Sequence, residues 1–231
     1  MLPLSYRGTG KTEVEAYASG ILMKKKLIII GAGGHGRVVR DIARSNGYRR
    51  IFFLDDERKD GIETLGAISD FTRYLNTHVF FVAIGDSRAR ARITESLVKA
   101  GGRIVTLIHP SATVSEDAKI GIGTVVMAGA VIGSGSTIGD SAIINTNSAV
   151  DHDCVIRDFS HVSVGASLGG CVTLEPHVWV GAGATLINNV DVCEGCLIGA
   201  GAVVVRDISE KGTYVGVPAR LMRLPDGTRI N

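Results

Sequence analysis

From Val114 to Val204 every sixth residue is a branched aliphatic: Val114, Ile120, Val126, Ile132, Ile138, Ile144, Val150, Ile156, Val162, Leu168, Leu174, Val180, Leu186, Val192, Ile198 and Val204. Two positions before each lies a small side chain, such as Ala112, Thr124, Ser136, Cys154 or Ala166. Only three of these slots hold anything larger, and all three are valine. A period of six belongs neither to an α-helix nor to a half-buried strand. It is the period of a parallel β-helix, in which three hexads close a triangular coil of about 18 residues and stacked coils share one core. The composition fits, because aromatics make up only 5% of the 231 residues and the narrow interior has room for little beyond Val, Ile and Leu. Glycines directly after the aliphatics (Gly121, Gly133, Gly139, Gly169, Gly181, Gly199) suit tight corners, where positive φ is expected.

The chain before the repeat follows a different pattern. "KKKLIIIGAGGHGRVVRDIARSNGY" reads as strand, glycine-rich turn and helix; "RRIFFLDD" and "HVFFVAIGD" read as further strands, with a helix through 88–99 and a last strand in "GGRIVTLIHP". The alternation predicts a small parallel sheet with helices over residues 23–108, a Rossmann-like half domain. Gly31, Gly33 and Gly36 match GxGxxG with acidic residues about 24 positions on. A domain of this size has no second half to hold a dinucleotide, and a β-helix follows it, so a nucleotide-linked ligand is favoured over NAD, with a purely structural turn as the other reading. "LIHPSATVSEDAKIG" joins the halves with no flexible linker, which predicts rigid docking. The β-helix is assigned to 109–208, with a tail at 209–231. Residues 1–22 read as an unstructured extension ahead of a natural start at Met23, because "GTGKT" lacks the first glycine and the preceding strand of a phosphate loop.

The net charge of +2 (25 basic, 23 acidic) offers no footprint for nucleic acid or a membrane surface. No apolar run approaches the roughly 18 residues of a membrane span, and 1–22 has no signal-peptide core. A cytoplasmic location is expected, with Cys154, Cys171, Cys193 and Cys196 as reduced thiols. Cys193 and Cys196 form a CxxC without a second ligand pair, so no metal is expected.

Within the repeat, "NTNSAVDHDCVIRDFSHVSVG" sets His152 between Asp151 and Asp153. Imidazole is the natural base near neutral pH, and a carboxylate on its other nitrogen fixes the tautomer and raises basicity. His152 follows the inward Val150 by two and so lies at a corner or outer face, within reach of a substrate. Cys154 occupies an inward slot and makes a poor nucleophile. No Ser–His or Cys–His pairing is evident, which favours direct transfer over a covalent enzyme intermediate. A β-helix acting only as scaffold or nucleotide-sugar sensor is the other reading, though a scaffold has no use for the His–carboxylate pair.

GAGGHG, LDD, AIGD, IHPSA, "INTNSAVDHDCVIRDFSHVSVGA" and YVGVPAR together resemble the hexapeptide-repeat sugar acyltransferases, in the subgroup of sialic acid O-acetyltransferase and PglD-like enzymes, over about residues 24–223. The resemblance implies a left-handed β-helix, a homotrimer with active sites between neighbouring prisms, and acetyl-CoA as co-substrate. It implies N-acetylation of a UDP-linked 4-amino-4,6-dideoxy sugar; O-acetylation of sialic acid or a related sugar hydroxyl is the alternative. His152 then matches the general base and Asp153 its support, which is Glu in some relatives. His161 matches a contact to acetyl-CoA or substrate, with an interface histidine as the other reading. Asn145 matches an asparagine near the acceptor, and Gly170 the residue whose N–H meets the thioester carbonyl. Ala182 and Ala200 are placed along the pantetheine and adenine. Gly34, His35, Asp55, Asp56, Gly85 and Asp86 are placed around the nucleotide, although a solvated strand-end aspartate would look like Asp55. His177 and Trp179 read as packing or rim residues.

Overall fold

The computed structural model describes residues 26–57 and 61–222; the extension expected over 1–22 and the end of the 209–231 tail fall outside these. β1 (Lys26–Ile30), β2 (Arg50–Leu54) and β3 (His78–Val82) form a parallel sheet in the order β2-β1-β3. β3 is buried along its whole length, and so is β1 after Lys26. Unbroken apolar runs of this kind belong to a sheet covered on both faces. α1 (Gly34–Ser45) follows β1 and buries Val39, Ile42 and Ala43, while α2 (Ser87–Lys99) follows β3. Asp86 caps α2 by accepting the Ala89 N–H at 2.7 Å.

The strand expected in "GGRIVTLIHP" is divided between the two halves. Ile104 makes one bridge to Phe80, but β4 (Leu107–Ile108) pairs with β7 (Val125–Val126) in the β-helix. Pairing there joins a ladder that continues through every later coil, whereas β3 engages this stretch by a single residue.

From β5 (Thr113–Val114) to β20 (Val203–Val204) the chain advances in two-residue rungs, each pairing in parallel with the third rung before or after it. Ile143–Ile144 (β10), for instance, lies between Val125–Val126 and His161–Val162 (β13), which defines an 18-residue coil. The result is a left-handed parallel β-helix of about six turns. The aliphatics and small residues of the hexads form one continuous core, with Val126, Ile144, Val162 and Val180 fully buried. Each such side chain stabilises the fold by about 1.5–3 kcal/mol. The first face continues past residue 208 through β21 (Thr213–Val215), which pairs with Leu197–Ile198 (β19). β22 (Arg220–Leu221) then turns back antiparallel and ends the parallel stacking.

The corners correct one sequence expectation. Positive φ occurs at every sixth residue from Gly123 to Gly201, at glycines and also at Ser141, Asn147, Asp153, Phe159, Cys171, His177 and Asn189. The glycines directly after the aliphatics are not in this series. They answer to coil stacking instead: a Cβ at Gly133 would stand 2.8 Å from the carbonyl carbon of Asp151 in the next coil.

The N-terminal domain docks on the first face, where the outward Val125, Met127 and Ile143 share an apolar cluster with Leu27, Val39 and Phe81. Asn46 clamps Ile108, donating to its carbonyl at 2.7 Å and accepting from its N–H at 3.2 Å. The buried Arg90 guanidinium donates to the Ile84 and Gly85 carbonyls of its own domain, each at 2.8 Å. It also reaches Ser141 O (2.8 Å) and Phe159 O (2.6 Å) in the prism.

Candidate active site

The sequence Asp151-His152-Asp153 forms the corner between β11 (Ala149–Val150) and β12 (Val155–Ile156). Asp153, at φ +57, turns its carboxylate toward the preceding ring, and the His152 Nδ1–H donates to Asp153 Oδ2 at 2.9 Å. The His152 N–H is held by Asp151 Oδ1 at 2.8 Å. With Nδ1 as donor, Nε2 carries the free lone pair. The hydrogen bond donated to Asp153, and then the charge of Asp151, raise the imidazole pKa above its ordinary value; the side chain remains half exposed, at 51%. The shortening from Glu to Asp does not prevent the hydrogen bond.

One coil further on, 18 residues after His152, stands Gly170. A Cβ there would collide with the His152 ring, and Nε2 is the nearest atom, so only glycine lets the imidazole lie across this corner. Among the described residues nothing accepts the Gly170 N–H. Nε2 therefore lies against a glycine whose amide N–H is unengaged. Beside them a groove of about 460 Å³ runs over the second face of the prism. Val131, Ala149, Ser167 and Thr185 form its floor, and Asp151 and Gly169 lie along one edge. Ala182 and Ala200 are exposed on the corner between the first and second faces, stacked through Gly201 N–H to Ala182 O at 2.9 Å.

A second group forms where the N-terminal domain meets the first face. His161 pairs in register with Ile143, which lies under that domain, so the N-terminal domain of the same chain faces it. Asn145 Oδ1 accepts the Thr146 N–H at 2.8 Å, which turns its amide nitrogen toward His161 Nε2 at 3.0 Å. His161 therefore accepts at Nε2 and carries its proton on Nδ1. Burial, with Arg90 and His35 as lesser causes, lowers its pKa to about 3, so the ring is neutral at physiological pH. Trp179 stacks on it at 5.8 Å between centroids and donates its indole N–H to Ser163 Oγ at 2.8 Å. His35, lowered to about 4 by burial and then by Arg90, has an unpartnered, buried Nε2. Among the described residues no hydrogen bond or ion pair links this group to His152.

The remaining nucleotide-side residues divide by what they touch. Gly34 and Gly85 face open space, where a ligand could meet the backbone closely. The Asp55 carboxylate is engaged within the fold, accepting from Ala32 N–H (2.7 Å) and Glu57 N–H (2.9 Å). Asp56 accepts from Ile68 N–H at 2.9 Å, at the start of a 3₁₀ turn, Ile68–Tyr74. Both aspartates thus brace the loops around the glycine turn. His177 stacks on Phe159 at 5.3 Å, a packing contact.

Two residues escaped the sequence reading. Arg90 lies in the helix expected over 88–99, where nothing local marks it. Cys171 lay 18 residues from anything that marked it. The structure stacks Cys171 one coil above Asp153, with its thiol exposed and within 4.8 Å of donor atoms of Asp153 and His152. A Cys–His proximity therefore exists, contrary to the sequence expectation, because the coil period makes 153 and 171 neighbours. The Cys154 thiol is buried and raised in pKa by desolvation, as its inward slot requires.

Residues 26–97 match the PglD N-terminal domain. The chain is 30% identical over 183 residues to GDP-perosamine N-acetyltransferase of Escherichia coli O157:H7, covering 75% of this chain and 82% of that one. The acetyltransferase domain of PglB from Neisseria gonorrhoeae, solved in complex with acetyl coenzyme A, superposes with a TM-score of 0.81 at 41% identity. That alignment covers 85% of this chain and 98% of the domain. The chain belongs to the PglD-like hexapeptide acyltransferases. Another member, UDP-N-acetylbacillosamine N-acetyltransferase of Bacillus subtilis, is 37% identical over 112 residues. That match covers 45% of this chain and about half, 52%, of the relative. No helix among its described residues is long and apolar enough to cross a membrane.

Proposed function

We propose that the protein transfers the acetyl group of acetyl-CoA to the amino group of a nucleotide-linked amino sugar, with a UDP-linked 4-amino-4,6-dideoxy sugar as the acceptor. The observation that carries this reading is the His152 ring, held by Asp153 and lying across Gly170, whose N–H has no acceptor within the described chain. His152 Nε2 removes a proton from the amine as nitrogen attacks the thioester carbonyl. The resulting oxyanion is met by the Gly170 N–H. Collapse expels the CoA sulfur, which takes the proton back from the imidazolium. Acetyl-CoA occupies the groove on the second face, reaching toward Ala182 and Ala200. His35, Gly34 and Gly85, with Asn145 and the neutral His161, hold the nucleotide-sugar. The two groups lie apart within one chain, which fits a homotrimer whose neighbouring protomers complete each site. The reaction belongs in the cytoplasm, the compartment that supplies acetyl-CoA.

The acceptor is tested by thiol release from acetyl-CoA with UDP-linked 4-amino sugars, GDP-linked 4-amino sugars and free sialic acid. The UDP-linked amine should give the highest kcat/KM. A preference for the GDP-linked amine would change the nucleotide assignment, and release with free sialic acid alone would overturn N-acetylation.

The protonation of His152 predicts a pH profile. Only the neutral ring is a base, so turnover falls as pH drops through its raised pKa. Asp153→Asn removes the largest cause of that elevation. The acid limb should then move to lower pH, while the rate on the alkaline plateau drops roughly tenfold or more as the tautomer is lost. Measured with one acceptor for both proteins, an unmoved acid limb would remove Asp153 from its supporting role.

A further inference from the structure

We propose that His152, Asp153 and Cys171 together form a binding site for a thiophilic divalent cation, of which Zn²⁺ is the type, and that its occupancy switches the transferase off. Donor atoms of the imidazole, the carboxylate and the thiol lie within 4.8 Å of one another, and all three side chains are exposed. Two ligands of one zinc ion stand about 3.3–3.8 Å apart, given bonds of about 2.0–2.3 Å, so small side-chain rotations bring the three into coordination. The backbone already points two of them the same way. Asp153 and Cys171 occupy equivalent corners of successive coils, at φ +57 and φ +60, and Gly170, next to Cys171, has no Cβ to keep the His152 ring from this corner. Three protein ligands on an open corner leave a fourth position for water. The mixed sulfur, nitrogen and oxygen set favours zinc over magnesium or calcium, which prefer all-oxygen sites.

Binding displaces the thiol proton to solvent and engages the imidazole lone pair, so it tightens as pH rises. Inhibition follows because the ring nitrogen beside the Asp153 carboxylate is Nδ1: an ion bound there shifts the ring proton to Nε2, which then cannot accept the acceptor's proton; this part rests on His152 acting as the base. The binding itself does not depend on that role. The CxxC pair is the competing thiol site, since Cys193 Sγ and Cys196 Sγ lie 3.4 Å apart.

The test uses the full chain freed of metal. Zn²⁺ binding is measured by competition with a chromogenic chelator, and Co²⁺ reports a sulfur-to-metal charge-transfer band. The parent protein should bind zinc at least tenfold more tightly than Cys171→Ser or Cys171→Asn, the asparagine being tolerated at positive φ. The variants should also lose the charge-transfer band and keep basal turnover within about twofold. Zinc should inhibit the parent, a chelator should restore it, and both Cys171 variants should resist. Unchanged zinc affinity in these variants, or affinity lost instead in Cys193→Ser, would overturn the proposal. Because binding is read without a sugar substrate, a wrong acceptor assignment leaves this result intact.

Discussion

Replacing His152 by alanine is expected to lower turnover at least a hundredfold while the protein stays folded. A positioned general base supplies about 10²–10⁴ in rate, and a hundredfold corresponds to about 2.7 kcal/mol in the barrier. Little else depends on the ring. It is half exposed, and its one side-chain hydrogen bond goes to Asp153. The backbone bonds at this corner survive the substitution, including Cys171 N–H to His152 O at 2.9 Å. Alanine leaves no buried void, so the thermal midpoint should barely move. Thiol release under saturating substrates, beside a thermal melt, separates chemistry from folding; near-normal turnover would take the base role away from His152.

Arg90→Ala should have the opposite signature. Its guanidinium is 1% exposed and supplies four hydrogen bonds to carbonyls, two in each half of the protein. Loss of hydration lowers its pKa to about 10, partly offset by Asp86, so it stays cationic at neutral pH. Charge-assisted hydrogen bonds contribute about 1.5–3 kcal/mol each and are not additive, and truncation leaves the carbonyls buried without a donor. A loss of about 3–5 kcal/mol is expected, a drop in Tm of roughly 6–20 °C for a chain of this size. Because Gly85 O is one of the four acceptors, KM for the nucleotide-sugar should rise more than kcat falls. An unchanged melt would show that the two halves dock without this pin.

The hexad register made the prism legible before any coordinates, because a six-residue period over ninety residues admits few other packings. The GAGGHG turn and the DHD corner were equally readable, since each is local: strand, turn and helix in one case, and an imidazole beside its carboxylate in the other. Misreadings arose where a local rule met a stacked neighbour. The glycines after the aliphatics were expected to serve φ, yet the next coil's backbone requires them. The strand in GGRIVTLIHP was given to the small sheet alone, although its second part joins the prism, because apolar character alone does not say which edge a strand joins.

Period, core residues and the Asp151-His152-Asp153 corner were therefore determined by the amino-acid order alone, through sterics and burial acting within one hexad or one turn. Tertiary structure alone decided which residues of separate coils and domains meet: Gly170 against the His152 ring, Cys171 beside Asp153 in the same next coil, His161 against the N-terminal domain, and Arg90 between the two halves. Those contacts depend on an 18-residue stacking distance and a docking angle, and no single stretch of chain encodes either.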